Sequence, residues 1–126
     1  MSRMTTEMIT WLYVSDVLRS RHFYEEALGL TLVLNQGDCC ILSITDTAYL
    51  GLCQRAEPRE TPGLLLCFVT DAVDEQVAAL VSAGATLEQS AKNNEKYGIY
   101  HAFLLDPDGH RLEVQRFQNP DWNNPK

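Results

Sequence analysis

Residues 103–114 read Phe103-Leu104-Leu105-Asp106-Pro107-Asp108-Gly109-His110-Arg111-Leu112-Glu113-Val114. Proline presets the backbone at the second position of the turn, and glycine takes the left-handed position that ends a three-residue loop with a bulge. In that register Asp106 faces His110, Leu105 faces Arg111, Leu104 faces Leu112 and Phe103 faces Glu113. Ala102 then faces Val114, and His101 faces Gln115. Alternation sorts the pairs into two faces. Ala102, Leu104, Leu112 and Val114 form an apolar face that suits packing under a helix. His101, Phe103, Leu105, Arg111, Glu113 and Gln115 form a mixed one, either solvent-exposed or lining a polar pocket. A two-residue loop would set Leu104 against Arg111 and Ala102 against Glu113, so the longer loop is preferred.

Outward from this hairpin, the chain repeats itself. Val14 and Val69, Asp16 and Asp71, and Gly29 and Gly84 are each 55 positions apart. Each copy opens on an apolar, β-branched run that reads as a strand. Ser15-Asp16 and Thr70-Asp71 then offer side-chain oxygens to cap a helix. Val73, Val77, Leu80 and Val81 form one helical stripe, and Phe23, Tyr24, Ala27 and Leu28 form its counterpart. Gly29 and Gly84 suit left-handed caps. Strands are predicted at Thr31–Asn35, Cys40–Ile44, Ala48–Cys53, Ala85–Glu88, Tyr100–Leu105 and Arg111–Phe117. Each module thus reads strand, helix, strand, strand, strand. Asp46 matches Asp108 at an offset of 62, so seven extra residues fall within Gln89–Gly98. That polar stretch is expected to be a loop, either a lid or a surface loop with no role.

The chain has 126 residues, of which 45% are hydrophobic and 21% charged. Such a chain buries roughly two-thirds of its unfolded surface, enough for a core. The reading is a single domain, 1–126, with module one at 8–56, a linker at 57–63 containing Pro58 and Pro62, module two at 64–117 and a tail at 118–126. No apolar run approaches the roughly 20 residues that a bilayer span needs. The N-terminus lacks a signal-peptide stretch, so a cytoplasmic location is expected. The net charge of −7 argues against nucleic acid as a partner. It permits a cationic ligand without demonstrating one. Cys39, Cys40, Cys53 and Cys67 show no metal-site or disulfide-framework spacing and are expected to be reduced and mostly buried.

The runs Val14-Ser15-Asp16, Phe23-Tyr24 and Leu28-Gly29-Leu30, together with the 103–114 signature, resemble the vicinal oxygen chelate superfamily. This group contains glyoxalase I, bleomycin- and fosfomycin-resistance proteins and extradiol dioxygenases. The likeness runs from about Met8 to Phe117. It implies an α+β fold of two βαβββ modules whose curved mixed sheets surround a cleft, and chains that commonly form homodimers. It also implies four metal-ligand positions, which fall here on Ile9, Gly51, Leu64 and Glu113. Only Glu113 can donate to a metal, whereas a catalytic metal usually needs about three protein ligands. No metal or other cofactor is therefore expected.

Glu113 is read as a general acid or base, as a partner of Arg111 or His101, or as a recogniser of a cationic ligand. His101 shares its face and is read as a base or as a satisfied pocket histidine. His110 and Glu113 lie three apart on a strand and point to opposite faces, so they cannot grip one metal together. His22 is read as solvated. Glu7 is placed near Ile9, and a site of Glu7, His101 and Glu113 is the metal alternative. Trp11 and Tyr13 go with Ile9, Tyr49 and Cys53 with Gly51, and Leu66 and Phe68 with Leu64. The implied cleft would then be apolar and aromatic, though core or interface packing explains these residues equally well. Cys53 is read as an inert thiol, and Trp122 as packing back on the body or on a partner subunit. The ligand-binding set is Trp11, Tyr13, Tyr49, Phe68, His101, Phe103, Arg111 and Glu113. Two functions stay open. One is a metal-independent small-molecule-binding protein. The other is a superfamily enzyme, lyase, isomerase or dioxygenase-like, that uses Glu113.

Overall fold

A computed structural model describes residues 4–57 and 63–123. The expected linker, apart from Glu57 and Gly63, lies outside the described residues, as does the end of the tail. The chain divides into two compact units, Met1–Arg59 and Glu60–Lys126.

The first unit contains β1 (Met8–Val14), α1 (Val17–Leu28), β2 (Thr31–Asn35), β3 (Cys39–Ser43) and β4 (Ala48–Gln54). Its sheet has the order β1-β4-β3-β2, with β1 parallel to β4 and the other pairs antiparallel. Asp16 caps α1 as expected, its carboxylate accepting from the Arg19 N–H at 3.1 Å. Gly29 closes the helix in the left-handed region at φ 67°, where a Cβ would be strained. Phe23, Tyr24 and Ala27 are buried, as are Leu12, Val14, Leu42, Leu50 and Leu52 on the apolar side of the strands. Burying each large side chain contributes about 1.5–3 kcal/mol before entropy is counted.

The second unit contains β5 (Leu66–Val69), α2 (Val73–Ala83), β6 (Thr86–Asn94), β7 (Ile99–Leu105), β8 (Arg111–Phe117) and a short 3-10 turn at Pro120–Asn123. Its sheet order is β5-β8-β7-β6. The 106–109 turn forms as its sequence dictates. Asp106 N–H donates to the His110 carbonyl at 2.9 Å, and Gly109 N–H donates to the Asp106 carbonyl at 3.0 Å. The Asp106 carboxylate accepts from the Asp108 and His110 N–H groups, both at 2.9 Å. Every β7–β8 pair expected from the turn is present, from Leu105↔Arg111 to His101↔Gln115. Ala102, Leu104, Leu112 and Val114 are all fully buried.

Four expectations are corrected. The N-cap of α2 is Ala72, with no side-chain cap, rather than Asp71. Thr70 Oγ1 instead accepts from the Ala72 N–H at 3.1 Å. Helix α2 is one residue shorter than α1, so the glycine caps keep the 55 offset while the junction before the helix moves by one. Within the expected stripe, Val73 and Leu80 are buried but Val81 is exposed. Gln89–Asn94 is not a loop, because β6 runs through it and pairs with β7 as far as Asn94↔Ile99, so that most of the extra residues lengthen the strand, with register shifts on either side of Gln89. Only 95–98 remain as a turn. Finally, Cys39 and Cys53 form a disulfide with Cα atoms 4.1 Å apart, because the β3–β4 register sets them directly opposite each other. Cys40 is buried and Cys67 exposed, both as free thiols.

Candidate functional site

In the first unit the parallel register pairs Ile9 with Tyr49, Trp11 with Gly51 and Tyr13 with Cys53. These six residues share one sheet face, as alternation requires. The six-membered ring of Trp11 occupies the space beside the Gly51 α-carbon. A Cβ added there would overlap ring atoms Cδ2, Cε3 and Cζ3. The indole keeps 41% of its surface exposed and Tyr13 keeps 51%. The Arg55 guanidinium lies over the Tyr13 ring at 4.8 Å, a cation–π contact. Tyr49 closes this end of the face. Its hydroxyl donates to Glu7 Oε2 at 2.8 Å, and that bond, chiefly, pushes the phenol pKa up. Glu7 is therefore committed to Tyr49.

In the second unit β5 pairs with β8 so that Leu66 meets Leu112, Cys67 meets Glu113 and Phe68 meets Val114. Leu66 and Phe68 thus share the helix-side face, and Cys67 replaces Phe68 beside Glu113. The one-residue move ahead of α2 is the cause. It also shifts the third expected ligand position from Leu64 to Leu65, two residues before Cys67 as Ile9 is two before Trp11. Leucine has no donor in either place.

Glu113 is buried between two partners. His101 Nδ1 lies 2.6 Å from Glu113 Oε2, with both side chains at most 10% exposed. From the other side the Cys67 thiol bonds to the same carboxylate. Burial, then the Glu113 charge and hydrogen bond, push that thiol from 9.0 up to about 12. It therefore stays protonated, as a donor. The Phe103 and His101 rings meet at a steep angle, with centroids 5.0 Å apart. Arg111 stands over Phe103 at 5.2 Å, and its Nε meets Glu88 Oε1 at 3.3 Å. Glu113 is thus the partner of His101 rather than of Arg111.

His22 is exposed, and His110 is buried at the turn, its N–H held by Asp106. Trp122 stacks on Phe117 at 3.9 Å, so the tail does pack back on its own body. Sequence reading missed Cys67 at this site, for the exposed strand β5 carries no alternation strong enough to show which side each residue takes.

The residues at the four implied metal positions do not fit a metal ion. Three have no donor atom, and the Trp11 ring blocks the space that a side chain at 51 would need. Among the described residues no group of three His, Cys, Asp or Glu is placed to hold one.

The glyoxalase/bleomycin resistance protein/dioxygenase superfamily model matches residues 5–114. Virulence protein STM3117 of Salmonella typhimurium is 31% identical over 119 residues, spanning 84% of this chain and 80% of that protein. A glyoxalase/bleomycin resistance protein/dioxygenase family enzyme from Burkholderia phytofirmans superposes with a TM-score of 0.77 at 22% identity, over 86% of this chain and 95% of its own. TioX from Micromonospora superposes at 0.71 with 20% identity, over 87% and 97%. At these identities the two structures speak to the fold alone.

Proposed function

This chain belongs to the glyoxalase/bleomycin resistance protein/dioxygenase superfamily, and we propose that within it the protein binds an organic small molecule without a bound metal ion. One observation carries the reading. Where the family implies a ligand side chain, at Gly51, the Trp11 ring lies against the backbone and leaves its own surface exposed. Tyr13, capped by Arg55, extends that surface along the strand. Aromatic rings on a rigid strand offer a large apolar contact at low entropic cost. The occupant that suits them is flat and largely apolar. The net charge of −7 favours a cationic one in bulk solution. Homodimer formation belongs to the same reading, supported by Val33 and Leu34, which stay exposed on the edge strand β2.

A second reading keeps the chain among the superfamily's enzymes, lyase, isomerase or dioxygenase-like, with Glu113 as part of the acid–base machinery. Its support is the burial of Glu113 between Cys67 and His101.

Native mass spectrometry of freshly purified protein separates the two. The binding reading expects a dimer free of stoichiometric metal, with a copurified organic mass or the capacity to take one up. Stoichiometric metal that raises the melting temperature when added back would overturn it.

A further inference from the structure

Independently of the aromatic face in the first unit, the second unit holds a pair whose geometry gives its two members different tasks. Glu113 accepts from the Cys67 thiol, which keeps its proton. On its other side His101 Nδ1 lies 2.6 Å from Glu113 Oε2. With the carboxylate as acceptor, that contact takes the imidazole as its Nδ1–H tautomer, which leaves Nε2 across the ring from the carboxylate. Among the described residues the only buried side-chain nitrogen or oxygen without a partner is Gln89 Nε2. His101 Nε2 has no hydrogen-bond partner among them either and is not wholly enclosed, on a side chain 7% exposed that shares its sheet face with Phe103. Phe103 packs against the ring at a steep angle.

We propose that His101, through Nε2, is the proton-accepting residue of this face, and that Glu113 is its positioning residue. The ligand class is a molecule that brings a weakly acidic proton, on oxygen or on carbon beside a carbonyl, to Nε2 and an apolar part to Phe103. In the transfer, the ligand's O–H or C–H bond breaks and its electron pair stays on the ligand as an alkoxide or enolate. The new N–H bond forms at Nε2, and the imidazolium charge lies against Glu113. Return of the proton restores both groups, so no further reactant is consumed. Glu113 itself has both neighbours already hydrogen-bonded to it and is poorly placed to take the proton.

Two measurements on the intact protein test this. Nitrogen-15 imidazole shifts of the wild type are expected to show His101 as the Nδ1–H tautomer. The Nε2–H tautomer would overturn the proposal without any variant. The second measurement uses diethyl pyrocarbonate, whose carbonyl carbon is attacked by an unprotonated imidazole nitrogen with loss of ethyl carbonate. Peptide mass mapping is expected to find His101 acylated at a rate that falls several-fold in Glu113→Gln, while exposed His22 reacts equally in both. Glu113→Asp should recover part of the loss. A His101 that stays unmodified while His22 reacts, or one that reacts equally in both proteins, would contradict the assignment. A melting curve for each variant confirms that it is folded.

Discussion

The indole ring of Trp11 stands where a side chain at Gly51 would project, so the aromatic surface and a metal ligand at position 51 exclude each other in this chain. Gly51→Ala is therefore expected to push the ring off its strand. Overpacking of this kind costs about 1–3 kcal/mol. Urea unfolding reads the loss, and tryptophan emission reads the movement. Unchanged stability and emission would show that the contact has slack.

Glu113 lies against the buried His101 imidazole and the exposed Cys67 thiol, and deleting it leaves the buried imidazole without its partner. Glu113→Ala is expected to lose about 1–3 kcal/mol, whereas Glu113→Gln, which keeps one acceptor oxygen, loses less. The two urea midpoints, compared at equal slope, check the order.

Cys67 is exposed on the sheet, yet its thiol is pushed from 9.0 up to about 12 by burial of the sulfur and by the Glu113 carboxylate. Iodoacetamide is expected to label Cys67 far more slowly than a solvated thiol at the same mildly alkaline pH, and Glu113→Gln to speed the labelling. The folded state holds this proton more tightly than the unfolded chain does. The resulting stabilisation is complete below about pH 9 and is lost as the pH climbs through about 12. Intact-mass kinetics and alkaline melting curves follow the two effects.

The Cys39–Cys53 disulfide closes a loop with a sequence separation of 14. In the chain-entropy account, closure of such a loop contributes up to about 3 kcal/mol. A reductant should lower the melting temperature, and the intact mass should rise by two hydrogens. A melting curve indifferent to reduction would remove this contribution.

The hairpin at 106–109 was legible because Pro107 and Gly109 each admit few conformations, and the apolar set of β7 and β8 tolerates one register. The aromatic face of β1 was legible for a related reason. Leu12 and Val14 are fully buried, which sends Trp11 and Tyr13 to the other side. Strand β5 offered no such anchor. Its four residues, Leu66-Cys67-Phe68-Val69, are all compatible with either face, and the glycine caps conceal a one-residue change before α2. Phe68 was assigned to the site and Cys67 was not for that reason. The Cys39–Cys53 pairing depends on the β3–β4 register, which no turn in the sequence pins as firmly as Pro107-Asp108-Gly109 does. Polar residues of Gln89–Asn94 read as a loop because an edge strand with solvent on one side needs no apolar alternation.

Metal-free binding on the Trp11 face is read out by the melting temperature of chelator-stripped wild type and Trp11→Ala protein across a panel of flat cationic and neutral aromatic compounds. The account predicts that at least one compound raises the wild-type melting temperature with no metal present, and that Trp11→Ala loses that response. The opposite pattern would contradict it: no compound acts until Ni²⁺, Zn²⁺, Mn²⁺ or Fe²⁺ is added, or Trp11→Ala responds as fully as the wild type.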